Sequence, residues 1–349
     1  MYVTPRPNVN EDPLYAVRLA LTGMLAYAAV PILDPALPPI IAALPLGLIA
    51  AQRKAFNPAK IIAAPVVMIV MVYATTWFVE QLRPMPLVYV GTMWLVYFVA
   101  FRMILKTGAA MGMLIIIVAL LMSIMGMHGT ATLETMRDGF AQASVVALVV
   151  GLLVYILLPA RTKEIHVDEP VPTTGNLEIG AAIRATVLIG LSFWLYSVMQ
   201  PSDMMMAMVA AMVIVFPTGT RVWDEAFQRI RATLYGAVVA LLILWLFTFS
   251  AHLSIVLGLI FLSGLFFGTK MLNGPHPSMV YQYAFSVTLA LVAGALSTQD
   301  PAYATFTRIV LTLVGAFTAA FTVAGLDMLT QWRGSPTTDR SSASEMARG

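Results

Sequence analysis

Cysteine is absent from this 349-residue chain, which excludes disulfides, iron–sulfur clusters and thiolate metal sites, and leaves the redox compartment unread. Charge is scarce too. Only 11% of the residues are Asp, Glu, Lys or Arg, where a soluble globular chain carries roughly 25%. The four histidines, His128, His166, His252 and His276, are scattered without the short spacing of a helical metal site, so no metal is expected. A glycine-rich phosphate loop of P-loop spacing is missing as well, which argues against ATP-driven work by this chain. Residues 1–13, MYVTPRPNVNEDP, lack the apolar core and cleavage site of a signal peptide, so Met1 is expected to be a retained start.

What is present in excess is apolar: 60% of the residues are hydrophobic, and the mean hydropathy is +0.85. A soluble protein is thereby excluded. Apolar runs fall near 14–32, 37–51, 61–79, 86–101, 109–126 and 140–158, then near 181–199, 204–216, 230–250, 253–268, 278–297 and 307–329. Each is a candidate span, since a helix crosses a bilayer core with about 20 apolar residues. The expectation is an all-α integral membrane protein of about twelve transmembrane helices. Residues 159–180, PARTKEIHVDEPVPTTGNLEIG, are rich in proline and charge and read as a linker. The expected organisation is a tail over 1–13, a six-helix unit over 14–158, the linker, a second six-helix unit over 181–329 and a tail over 330–349.

Assigning alternate loops to opposite sides gathers all but three of the 20 Lys and Arg residues on one face, leaving Arg83, Arg137 and Arg308 opposite. Positive loops stay cytoplasmic, so both termini and the linker are expected inside. Features also recur in order along the chain at intervals of roughly 170 residues, a signature of duplication. Arg18 corresponds to Arg184, Asp34 to Asp203, Lys60 to Arg229, Gly91 to Gly258, Arg102 to Lys270 and Arg137 to Arg308. Because six is even, the two units enter the membrane from the same side and are expected to be parallel repeats. The second helix of each unit is short or proline-interrupted. Residues 37–51 contain Pro38, Pro39 and Pro45, and the run 204–216 reaches only about 20 Å against a core of about 30 Å. Such segments mark the central site of many transporters.

The side chains able to act on a solute are mostly cations at helix ends. Arg18, Arg184, Lys60, Arg229, Arg102 and Lys270 read either as a ring that concentrates anions or as interfacial anchors. Acids collect toward the other face, at Asp34, Glu80, Glu134, Asp138, Asp203 and Asp300. Of these, Asp34 and Asp203 precede the short helices and are the candidates for proton coupling, with helix capping as the alternative. His276, set between two prolines in LNGPHPSM, is a candidate gate at the entrance of a helix, or part of a plain turn. Tyr73, Trp77, Trp194, Tyr196 and Trp245 read as aromatic platforms or as interfacial belt residues.

At 216–240 the chain reads FPTGTRVWDEAFQRIRATLYGAVVA, a charged turn followed by Arg229, Thr233 and Gly236 at helical spacing. This resembles the Arg-x-x-Gly-Thr-x-x-Gly signature of the fusaric acid resistance (FUSC) and aromatic acid exporter superfamily, with Ala232 in place of the first glycine. RIVLTLVG at 308–315 has the same pattern at the opposite face. In the first unit, NPAKIIAAPVV keeps only the cation, Lys60. Thr and Gly at this spacing let helices approach closely. The resemblance implies six-helix units and export of small anionic, often aromatic, acids across a bacterial inner (cell) membrane, with Arg229, Thr233 and Gly236 at the substrate path. It also implies a periplasmic adaptor (membrane fusion) protein as partner. Many members carry a cytoplasmic domain after each unit, for which the linker and tail here are too short.

Three alternatives stand beside organic-anion efflux: a passive anion channel, a non-transporting membrane subunit that anchors an adaptor, and, least expected, a membrane enzyme. Neither a cofactor nor a nucleic-acid partner is expected. The bilayer itself is the surroundings, and the chain is expected to act as a monomer or a homodimer.

Overall fold

The computed structural model describes residues 12–51, 57–107, 110–160, 173–174, 176–198, 222–297, 310, 314, 317–318, 321–330 and 335–336. In chain order the helices are α1 (Tyr15–Leu33), α2 (Pro38–Ala51), α3 (Pro58–Leu82), α4 (Pro86–Thr107), α5 (Ala110–His128) and α6 (Thr130–Leu157), followed by α7 (Leu177–Val198), α8 (Val222–Phe249), α9 (Leu253–Asn273) and α10 (Ser278–Leu296). Residues 321–329 are also helical. A two-residue antiparallel pairing joins Thr173–Thr174 to Ser335–Pro336. Among the described residues, nine helices are long and apolar enough to cross a membrane, and the segment Pro38–Gly47 of α2 is a shorter apolar helix. The runs 204–216 and most of 307–329 lie outside the described residues.

Prolines mark the helix starts. α2, α3 and α4 open on Pro38, Pro58 and Pro86, where the missing N–H is not needed and the ring presets φ. α1 ends two residues after Pro31, and Asp34 follows in the left-handed conformation (φ 42°, ψ 57°), its N–H closing the last bond to Val30 O. Short polar residues tolerate that conformation at a helix C-terminus. α6 starts at Thr130, well before the apolar run at 140, and α8 starts at 222 rather than 230. In both, a polar turn carrying Glu134, Arg137 and Asp138, or Asp224, Glu225, Arg229 and Arg231, continues the helix beyond its apolar stretch. Hydropathy reports the lipid-facing stretch, whereas hydrogen bonding decides where the helix ends.

Helix packing interleaves the two halves of the chain. α1 packs on α9, and α7 packs on α4. Within the halves, α3 and α4 pack on α5, and α8 and α9 pack on α10. One apolar core gathers residues of α3 to α6 together with Ala181, Leu188 and Leu195 of α7. The other gathers residues of α8 to α10 with Tyr15, Leu19 and Tyr27 of α1. That second core also holds Ala42, Leu46, Ile49 and Ala50 of α2, which packs on α10, so the halves interlock through α1, α2 and α7. Outward, Trp77, Val238, Trp245 and Phe249 are exposed, as suits faces solvated by lipid rather than water.

The α4–α5 contact carries a buried polar group that apolar packing alone would not supply. Ser123 donates to Leu120 O at 2.9 Å, so the hydroxyl of Tyr97, 2.9 Å from Ser123 Oγ, is the donor in that pair. Tyr89 donates to Ser123 O at 2.8 Å. Replacing Tyr97 by Phe removes one neutral hydrogen bond while keeping the ring, and is expected to cost about 1 kcal/mol. The check is a small drop in the thermal midpoint of detergent-purified protein.

Candidate functional site

The signature residues of α8 assemble with α10. Gly236 is where the helices cross. A Cβ there would lie 2.5 Å from Ala284 O and 2.8 Å from Val287 Cβ, so only hydrogen fits. Thr288 Oγ1 lies 3.0 Å from Gly236 O and 2.9 Å from Ala284 O, so its one proton is shared between the crossing and its own helix. Thr233, one turn earlier, is buried. Arg229, a further turn along, is half-buried, and its guanidinium carbon lies 3.6 Å from the centre of the Tyr283 ring. At that distance the charge and the ring quadrupole attract.

A second aromatic group sits at the same pair of helices. His276, in the turn between α9 and α10, has Nε2 3.3 Å from the hydroxyl of Tyr235, and its backbone N–H donates to the hydroxyl of Tyr281 at 3.3 Å. The rings of Tyr235 and Tyr281 are nearly parallel, 6° apart with centroids 6.5 Å distant. The turn joins α8 to α10 through one residue, His276, by its imidazole to Tyr235 and its backbone N–H to Tyr281. Arg229 over Tyr283 sets a cation against one π face, a combination suited to a planar carboxylate, while Tyr281, two residues from Tyr283, stands on the other side of α10. In the first half the cation is kept as Lys60, but the positions corresponding to Tyr235, Tyr281 and Tyr283 are the apolar Val66, Met113 and Ile115.

The other cations nominated by sequence lie in different settings. Arg18 is fully buried, forms an ion pair with Asp12, reaches Leu158 O at 3.4 Å and stacks 5.1 Å from the Tyr155 ring. Arg184 is also buried and grips Asp327 with both terminal nitrogens, at 3.4 and 3.2 Å. Arg102 pairs with Glu178 at 2.7 Å on the surface. Lys270 is exposed, 5.9 Å from the Phe266 ring on its own helix. Lys60 falls in the first turn of α3. Asp34 is exposed just after α1 and precedes α2, which opens at Pro38. Asp203 lies outside the described residues. Tyr73, Trp77, Tyr196 and Trp245 are all exposed, as belt residues are. Among the described residues, no group of three or more His, Asp or Glu is placed to hold a metal ion.

Sequence reasoning missed the aromatic partners Tyr235, Tyr281 and Tyr283, which look like ordinary helix residues until α8 and α10 are packed. It also missed the acids Asp12, Glu178 and Asp327. Asp327 left a signal: it is an ionisable residue inside an apolar run, and such residues are seldom idle.

With its long apolar helices, buried ion pairs and lipid-facing outer surface, the molecule is a multi-pass helical membrane protein. Residues 191–322 match the family model described as fusaric acid resistance protein-like, and this match supports membership of the chain in the FUSC superfamily. The matched stretch contains Arg229, Thr233, Gly236 and His276. Proteins of that family are membrane transporters rather than enzymes, and efflux transport is the function class that the match and the helices support. A comparison with curated proteins finds no match, and a comparison with solved structures finds none.

Proposed function

We propose that the chain exports small organic anions, aromatic carboxylic acids in particular, across a bacterial inner membrane along a central path shared by its two halves. The observation that carries this reading is the stacking of Arg229 on Tyr283, with the Tyr235, His276 and Tyr281 group at the same pair of helices. A carboxylate meets the guanidinium fork, and its aromatic ring finds further π faces. The reciprocal packing of α1 on α9 and α7 on α4 supports two parallel six-helix repeats, with both termini and the linker on the cytoplasmic side. On this reading Lys60 and Lys270 add positive potential along the path, His276 gates it, and Asp34 and Asp203 are the carboxylates for proton coupling. A periplasmic adaptor completes the route outward, and one chain holds both units needed, whether alone or as a homodimer.

The test uses purified protein in liposomes and a labelled aromatic carboxylate. Arg229→Gln is expected to lower flux about tenfold or more, the worth of one charge-assisted pairing, at unchanged membrane abundance. Tyr283→Leu is expected to lower it less. Equal flux in Arg229→Gln removes the residue from the path, and large currents indifferent to a proton gradient mean a channel instead of a coupled exporter.

A further inference from the structure

In sequence α3 corresponds to α8 and α5 to α10, yet the two pairs of helices meet in different ways. The buried stripe of α8 is Ala232, Thr233, Gly236, Ala237 and Ala240. These small residues let α10 approach until a Cβ on Gly236 would lie 2.5 Å from Ala284 O. The crossing falls about two turns past Arg229, near enough for the guanidinium to lie over the Tyr283 ring.

The register that sets Lys60 against Arg229 sets Ala64 against Thr233 and Val67 against Gly236. In α3 those are not the most buried positions. Ala64 is exposed and Val67 half-buried, and the buried stripe runs through Ile61, Pro65, Met68 and Val72. A stripe displaced by one residue means a helix turned by about 100°. Ile61, next to Lys60, is fully buried against α6, where a Cβ on Gly151 would lie 3.4 Å from its Cγ2. It joins the core of α8 to α10, whereas Met68, Val72 and Val79 join the core that holds α5. α3 closes on α5 near its far end, where a Cβ on Gly126 would meet Val79 and Thr76 Oγ1 lies 3.8 Å from Met122 Sδ. Val79 is about five turns past Lys60.

On the reading of Arg229 and Tyr283 as the anion site, we propose that each chain binds one substrate anion, in its second half, and that the first half is a scaffold with no counterpart site. Two differences remove the counterpart. Its ring positions are filled by Val66, Met113 and Ile115, and the face of α3 that would carry the signature is turned out of the position that α8 gives it. What the first half supplies is packing, since α1 and α2 complete the core of α8 to α10. Lys60 contributes potential from a distance and holds no carboxylate.

The test dialyses the full chain, in lipid nanodiscs, to equilibrium against radiolabelled benzoate near neutral pH, where the probe is an anion. Saturation at one benzoate per chain is expected. Arg229→Gln is expected to weaken that site about tenfold or more and to leave no second one. Arg229→Lys, which keeps the charge without the fork, is expected to retain one site at intermediate affinity. Saturation at two per chain overturns the proposal, as does a site of unchanged affinity in Arg229→Gln. A parent chain that binds no benzoate refutes the export reading and takes the single site with it, an outcome distinct from a count of two. The turned face is read without any ligand. Because the chain has no cysteine, N-ethylmaleimide reacts only with introduced thiols: Ala64→Cys is expected to be labelled in the folded protein and Thr233→Cys only after denaturation. Equal labelling of the two folded variants overturns the geometric half of the proposal.

Discussion

Arg18→Met is expected to destabilise the protein by about 3 to 5 kcal/mol, the usual consequence of removing one partner from a buried ion pair. Asp12 is 1% exposed and Arg18 fully buried, so the remaining carboxylate has no route to water. Among the described residues its second oxygen, Oδ1, has no hydrogen-bond partner, which leaves the arginine as its chief compensation. The double variant Arg18→Met with Asp12→Asn removes both charges and is expected to recover most of the loss, because the cost lies in an orphaned charge rather than in a missing attraction. Thermal unfolding in detergent, followed by tryptophan fluorescence, reads both variants. A single variant as stable as the parent, or a double variant no better than the single, defeats this account. The same experiment separates roles: an arginine held by its own acid shows its loss in stability first, whereas Arg229 is expected to show its loss in flux.

The second large effect concerns Gly264. Gly264→Leu is expected to abolish folded protein in the membrane or to lower stability by about 3 kcal/mol or more, at the upper end of overpacking costs. A Cβ there meets Ala20 Cα at 2.6 Å and the Phe285 ring at 2.8 Å. Ala20 is backbone in a packed helix and cannot yield. Gly258, on the same helix, has nothing within 4 Å of an added Cβ, so Gly258→Leu is the matched control and is expected to leave abundance unchanged. Abundance by immunoblot and monodispersity by gel filtration distinguish the two. Equal behaviour of the variants would show that the close approach of α1 and α9 does not govern assembly.

Much of the helical inventory was legible in the sequence, because lipid imposes a simple rule on composition. The runs at 14–32, 86–101, 109–126 and 278–297 lie within a few residues of α1, the first part of α4, α5 and α10. The polar extensions of α6 and α8 were not, since residues outside the apolar stretch obey hydrogen bonding and not hydropathy. In the candidate site, Arg229, Thr233 and Gly236 were legible as a pattern along one helix. Tyr283 was not, because nothing in one strand of text says which faces of α8 and α10 meet. Nor were the ion pairs of Arg102 and Arg184, whose acids lie on other helices, far along the chain.

By itself, the sequence determined that this is a membrane chain, where the apolar part of most described helices runs and which helix carries the signature cation. These follow from side-chain transfer energies and local spacing, and each residue contributes independently of its distant neighbours. Tertiary structure alone decided that α1 and α2 enter the core of the second half and α7 that of the first. It alone paired Arg18 with Asp12, Arg184 with Asp327 and Arg102 with Glu178, and set Arg229 on Tyr283. The reason is physical: in lipid every apolar helix face is equally well solvated, so hydrophobicity does not choose neighbours. Partners are chosen by shape at the glycines and by the need of each buried charge for its opposite, and both depend on residues that only the folded chain brings together.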